Sequence, residues 1–270
     1  MIQRQLSATL LFGVVTLAAP FSFANGLPSE AGSAQIVFLG EQHDNLAHHT
    51  VQAEWAVALA PSALVFEMLT PDQAAAVTPL NRLSEQELST ALNWEDAGWP
   101  DFAMYYPIFA AAPTAQIFGA GVPRAQVRQL MEKPLEEAFD VQDAQRFGLD
   151  QPLSDAQQAA RENLQRLAHC DALPADLLPM MVSVQRLRDA VLARTALEAL
   201  DETGGPVLVI TGNGHARADW GAPFLVAKAA PEITVFALGQ GEAGNEPDGV
   251  FNVTLDGPTV DRGDPCDAFR

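Results

Sequence analysis

IVFLGEQHDN, at residues 36–45, joins four apolar residues to a glycine and five polar residues. A short apolar run that stops at a turn is typical of a buried strand, and polar residues just beyond its carboxyl end lie where open α/β sheets bind ligands. The same order returns at residues 207–215, which read VLVITGNGH. The chain therefore contains two predicted strands that each end in a Gly-x-x-His motif, with His43 in the first and His215 in the second.

The two histidines are predicted to share one site. Parallel strands bring their carboxyl ends to one edge of a sheet, so residues far apart in sequence can face the same crevice. A single Gly-x-x-His most often only hydrogen-bonds a loop, because short motifs have a real false-positive rate. Two copies in matching contexts favour a shared site formed by His43 and His215.

The rest of the chain predicts an α/β fold with a mostly parallel central sheet, helices on both faces and a helical lid insertion. We expect one domain over residues 25–270, with residues 126–200 as the helical insertion, because strand signals vanish there. A helix is predicted over residues 46–59, capped by Asp44 or Asn45. Further strand patterns occur at residues 63–68, 115–120, 233–238 and 250–255.

Two charged residues at predicted strand ends are candidate site residues. Glu67 follows a strand and is surrounded by apolar residues. Such a carboxylate is either paired with an Arg or a His, or is a functional acid or base with a raised pKa. Arg124 follows the third strand and is a candidate partner, because a guanidinium can bind a carboxylate with two hydrogen bonds. His48, in the first predicted helix, is either a core or capping residue or a contact of the site.

The segment at residues 93–107 is aromatic, acidic and rich in turns. It contains both tyrosines of the chain, Tyr105 and Tyr106, together with Trp94 and Trp99. These residues can form a wall that clasps a flat apolar ligand, or they can belong to the core. The sequence leaves both interpretations open.

Residues 1–24 are predicted to be a secretory signal peptide. They begin with a basic residue, Arg4, continue with a short apolar run and end in Ser22-Phe23-Ala24. With no cysteine near the cleavage point, we expect a soluble periplasmic protein without a lipid anchor. The net charge of −19 argues against nucleic acid and anionic lipid as partners. No later segment has the pattern of a transmembrane helix. Cys170 and Cys266 can form a disulfide or remain free thiols; their spacing leaves both open.

GEQHDN at residues 40–45, followed by His48-His49, and TGNGH at residues 211–215 resemble the ChaN family of bacterial haem-binding proteins. The resemblance covers most of the chain after the signal peptide and includes GWP at 98–100, Pro123-Arg124, His169-Cys170 and QRLRD at 185–189. ChaN belongs to a superfamily with Tiki proteases, TraB proteins and erythromycin esterases. The residues that match the superfamily signature are Glu41, His43, Glu67, Arg124 and His215.

The resemblance implies haem binding linked to iron uptake at the cell envelope. An outer-membrane haem receptor and a second copy of the chain are candidate partners. Other branches of the superfamily are hydrolases, which implies an alternative function as a metal-dependent protease or esterase. In that case His43 and His215 bind a divalent metal ion, and the catalytic group comprises Glu41, His43, Glu67, Arg124 and His215. The candidate haem contacts are His43, His48, Tyr105, Tyr106, Arg124 and His215.

Overall fold

The computed structural model describes residues 27–264 and 266–267. In these residues, six strands form one parallel sheet in the order β3-β2-β4-β1-β5-β6. The predicted signal peptide lies outside the described residues. The strands are β1 (Ile36–Glu41), β2 (Ala63–Phe66), β3 (Gln116–Gly119), β4 (Val207–Gly212), β5 (Val235–Glu242) and β6 (Val253–Gly257).

Helices connect the strands and cover the sheet. The α-helices are α1 (Ser29–Ser33), α2 (Leu46–Leu59), α3 (Pro71–Ala75), α4 (Glu85–Leu92), α5 (Phe102–Ala111), α6 (Arg124–Gln129), α7 (Leu135–Phe139), α8 (Val141–Phe147), α9 (Asp155–Ala168), α10 (Leu178–Thr203), α11 (Asn213–Ala216) and α12 (Ala222–Ala229). Among the residues described, no helix is long and apolar enough to cross a membrane.

The central strands are apolar on both faces because helices cover both faces. Side chains alternate along a strand, so Ile36 and Phe38 of β1 point into one core, which includes residues of α10 and α12. Val37 and Leu39 point into a second core, which includes residues of α2 and α5. This arrangement confirms the predicted α/β fold with helices on both faces of the sheet.

Helix α2 has the bounds that its sequence predicts. It begins after Asn45, whose side chain accepts a hydrogen bond from the Ala47 amide at 2.9 Å. It ends at Ala60, which has a φ of 45° and precedes Pro61. The cap therefore fixes where the polar turn after β1 ends.

Residues 126–200 form helices joined by turns, and only part of this segment borders the carboxyl edge of the sheet. Helix α9 has no buried residue and packs against α10. Helix α10, in contrast, contributes Leu187, Ala190 and Ala196 to the core beneath the sheet. A disulfide joins Cys170, in the turn after α9, to Cys266 in the C-terminal tail, with 5.6 Å between their Cα atoms. The segment thus lies partly beside the carboxyl edge of the sheet and partly in the hydrophobic core.

Candidate functional site

The two Gly-x-x-His motifs interlock on neighbouring strands. β1 and β4 pair directly, with Glu41 opposite Gly212. A Cβ atom on Gly212 would lie 3.0 Å from His43 Nε2, and one on Gly40 would collide with Asn213 Oδ1. Each glycine therefore makes room for a side chain of the other motif. A larger residue at either position would crowd that side chain, which explains why both positions are glycine.

His43 is oriented by a buried carboxylate. Glu41 is 1% exposed, and its Oε1 accepts hydrogen bonds from His43 Nδ1 at 2.7 Å and from the Tyr105 hydroxyl at 2.9 Å. Burial of His43 opposes its charged form, but the hydrogen bond to Glu41 and the negative charge of Glu67 outweigh it and raise the pKa of His43 to about 9. Because Nδ1 is engaged, Nε2 is the nitrogen that remains for a ligand.

Glu67 lies beside both histidine motifs. Its Oε2 accepts hydrogen bonds from the Thr211 hydroxyl at 2.6 Å and from the Gly212 amide at 2.8 Å, and its Oε1 lies 3.6 Å from His215 Nε2. Burial would raise the pKa of this carboxyl group, but the charges of His215 and His43 and these hydrogen bonds lower it to about 2. The structure therefore pairs Glu67 with His215 rather than with Arg124, and these contacts lower the pKa of the carboxyl group instead of raising it.

His215 is held by Asp189, a carboxylate that the sequence identifies only as the last residue of QRLRD and not as a site residue. Its Nδ1 bonds to Asp189 Oδ1 at 2.7 Å, and both side chains are buried. Burial opposes the charge of His215, but Glu67 and Asp189 together raise its pKa. Asp189 lies in α10 between the core residues Leu187 and Ala190. An acid at a core position of a helix was the available signal, because such a charge needs a partner.

Three of the proposed haem contacts have other roles in the structure. His48 accepts a hydrogen bond from the Gln42 amide through Nδ1 and contacts the Gly241 carbonyl through Nε2, so both ring nitrogens bind backbone. The Tyr105 side chain is fully buried, and its hydroxyl donates a hydrogen bond to Glu41. Burial is the largest cause that raises the pKa of Tyr105, and the negative charge of Glu41 is the next. The Tyr106 hydroxyl donates to the Arg82 carbonyl. The structure therefore buries His48 and Tyr105, and it packs the half-buried Tyr106 against the core.

A cleft of about 580 Å³ opens beside Glu67 and His215. Its lining includes Trp99, Arg124 and Arg188. The Trp99 ring also lies 4.9 Å from the His43 ring, measured between centroids, and the His43 side chain is 31% exposed. The aromatic segment is thus divided: Trp94 and Tyr105 belong to the core, and Trp99 faces the cleft.

These residues fit haem better than a bare metal ion. A haem site needs one axial ligand, a flat apolar surface and cations for the propionates. His43 Nε2, Trp99 and the arginines of the cleft are the groups of the site that would meet these needs, with His43 next to Trp99 at the border of the cleft. In the part of the chain that the structure describes, no group of three His, Cys, Asp or Glu side chains is arranged to hold a metal ion.

A sequence profile of the family described as haem-binding uptake, Tiki superfamily, ChaN matches residues 27–226. The chain belongs to this family. ChaN of Campylobacter jejuni, solved in a study of cofacial haem binding, has a similar fold: the TM-score is 0.64 at 19% identity, over 83% of this chain and 88% of that chain. The type III effector HopBA1 gives a TM-score of 0.48 at 16% identity, over 85% of this chain and 92% of that one. Among curated proteins, no sequence match is found.

Proposed function

We propose that this protein binds haem at the carboxyl edge of its sheet and acts in haem or iron uptake at the bacterial cell envelope. The observation that carries the proposal is His43, whose Nδ1 is bound to Glu41 and whose ring lies against Trp99 beside an arginine-lined cleft. Membership of the ChaN family supports the same ligand.

The side chains of the site have distinct roles in this proposal. Glu41 fixes the orientation of the His43 ring and increases the basicity of Nε2, as carboxylates do for metal-bound histidines. Trp99 offers an apolar surface, and Arg124 and Arg188 bind the propionates. Haem, when bound, would supply an iron atom that an imidazole nitrogen such as His43 Nε2 could ligate. Tyr105 supports Glu41 rather than the iron.

The test is a haemin titration followed between roughly 350 and 650 nm, where axial ligation changes the spectrum. His43→Gln keeps a side-chain amide that can donate to Glu41 but removes the imidazole. We expect at least a tenfold weaker affinity, or about 1.4 kcal/mol. His169→Gln is the control, because His169 bonds to the Gln165 carbonyl and takes no part in the two histidine–carboxylate pairs. Equal haemin affinity and an unchanged spectrum in His43→Gln would contradict the assignment.

The location in the envelope rests on the N-terminal sequence. Residues 1–24 have the features of a cleaved signal peptide, and no cysteine is available there for lipid attachment. Expressed with its full N-terminus, the exported protein should begin within a few residues of Asn25. N-terminal sequencing of the periplasmic fraction measures this, and an uncleaved or lipidated product would count against it.

One observation favours hydrolysis as a second candidate function. His43 and His215 each have Nδ1 bonded to a buried carboxylate, which is how a general base is oriented. The protein would then cleave an ester or amide, with one of these histidines acting as the base toward water. An assay with p-nitrophenyl acetate in the presence of Mn²⁺, Co²⁺ or Zn²⁺ tests this. Activity that is equal in wild type and in His43→Gln and His215→Gln variants would exclude the site as its source.

A further inference from the structure

A second cleft, of about 450 Å³, shares His215 with the first but has different walls. Helices α9 and α10 form one wall, and the segment that follows β4 forms another. Its charged and aromatic lining includes Arg161, Arg217 and Trp220. These three residues have no role in the histidine–carboxylate pairs or in the haem proposal.

Two guanidinium groups lie close to the Trp220 ring. Arg217 lies 3.5 Å from the ring centroid, and Arg161 lies 5.0 Å from it. Arg217 is neutralised by Asp219 through two hydrogen bonds of 2.6 Å. Arg161 has no hydrogen bond or ion pair to any residue in the described part of the chain, and its Nε is buried without a partner. Arg161 is half-buried, so its unpaired Nε carries a desolvation cost that an anion in the cleft would offset.

The wall next to Arg161 carries apolar side chains beside the polar Gln165 and Gln185. Arg161, Leu164 and Ala168 recur at helical spacing on α9 and therefore share the face that lines the cleft. Val182 of α10 and Pro247 add further apolar surface. A cation beside such a surface matches a ligand that has a carboxylate on an apolar body.

The acids near this cleft are largely committed to other partners. Asp189 is bonded to His215, and Asp219 to Arg217. Asp248, an exposed residue, also lines the cleft. Burial lowers the pKa of Arg161, while Asp189 acts in the opposite direction. The guanidinium therefore lacks a neutralising contact of its own.

We propose that this second cleft is a binding site for an amphipathic carboxylate. The Arg161 guanidinium binds the carboxylate, Trp220 fixes the guanidinium by stacking, and Leu164 and Val182 contact the apolar body. The carboxylate can belong to a free acid or to a propionate of haem bound at the neighbouring cleft. The recognition chemistry is the same for both sources, and the site does not require that the haem proposal be correct.

The first arm of the test uses 11-(dansylamino)undecanoic acid and its methyl ester with the haem-free protein. Dansyl fluorescence should show the acid binding at least tenfold more tightly than the ester. Arg161→Met keeps the apolar stem without the charge, and should weaken acid binding at least tenfold while changing ester binding less than twofold. Arg161→Lys should retain part of the preference for the acid over the methyl ester. Arg128→Met, at an exposed position of α6, is the control and should behave as wild type.

The second arm separates the two sources of carboxylate, with haemin and haemin dimethyl ester as probes. If Arg161→Met weakens haemin but not the diester, a propionate reaches Arg161; if only the dansyl acid is affected, the site takes a free acid. Wild-type affinities for both acids in Arg161→Met, or no binding of either acid by wild type, would overturn the proposal. Circular dichroism melting should show that Arg161→Met remains folded, which is expected because α9 has no buried residue.

Discussion

At the scale of single residues, the site depends on a competition between burial and neighbouring charge. Burial alone would make His43 neutral and would keep Glu67 protonated. Each instead stabilises the charge of the other: the pKa of His43 is raised to about 9 and that of Glu67 is lowered to about 2. The sequence predicted that Glu67 needs a partner, but the identity of the partner depends on which strands are neighbours. For that reason Arg124 was a reasonable expectation and His215 is the observed contact.

His43 should make the stability of the ligand-free protein depend on pH. Its pKa rises from an ordinary 6.5 to about 9 on folding, so its contribution is fully present below about pH 6.5 and is lost as the pH rises through 9. Since the side chain is partly exposed, we expect a loss of about 2 kcal/mol rather than the full linkage value. Urea unfolding at pH 6.5 and 9.5 measures it. His43→Gln should show a smaller loss between these two pH values, and an equal loss would assign the effect to other groups.

At the scale of elements, local patterns gave the helices and strands but not their neighbours. The cap at Asn45 and the apolar runs predicted α2 and the strands within a few residues. The insertion of β4 between β1 and β2 is a long-range pairing, and no local pattern encodes it. The aromatic segment was ambiguous for a similar reason: α5 buries Tyr105 against Glu41, which is 64 residues away in the chain.

The interlocking of the two motifs predicts opposite effects for two nearby glycines. Gly212→Ala places a methyl group 3.0 Å from His43 Nε2, so the ring must shift, at a cost of about 1–3 kcal/mol. A Cβ on Gly214 meets no atom within 4 Å, and this residue lies in α11, where alanine is the better helix former by up to about 1 kcal/mol. Chemical denaturation gives both values, and NMR of the His43 ring should change only for Gly212→Ala. Two variants of equal stability would argue against the close approach.

The bridge between Cys170 and Cys266 should stabilise both α9 and the C-terminal tail. It closes a loop between residues 96 positions apart, for which chain entropy gives about 3–5 kcal/mol. The double variant Cys170→Ser, Cys266→Ser should unfold at lower urea concentration than wild type and should not respond to dithiothreitol. Wild type should move to the midpoint of the variant when reduced. An unchanged midpoint after complete reduction would mean that the bridge contributes little to the folded state.

At the scale of the whole molecule, the charge of the chain opposes the ligand proposed for it. The formal net charge is −19, and haem has two propionates. The positive residues of the first cleft, Arg124 and Arg188, act over a short range, whereas the negative field of the molecule acts over about a Debye length or more. Capture of haem should therefore be governed by repulsion at a distance and by attraction at contact.

This contrast predicts an unusual dependence of haemin binding on salt. Salt screens the long-range repulsion more than the contacts inside the cleft, so the association rate of haemin should rise between about 0.01 and 0.15 M ionic strength, over which the Debye length falls from about 30 to 8 Å. Stopped-flow absorbance with monomeric haemin measures the rate, and haemin dimethyl ester, which lacks the carboxylates, should respond much less. Arg124→Met should steepen the rise, because it removes a local attraction. A haemin rate that instead falls with salt would mean that the arginines of the cleft, rather than the net charge of the molecule, control the approach of the ligand.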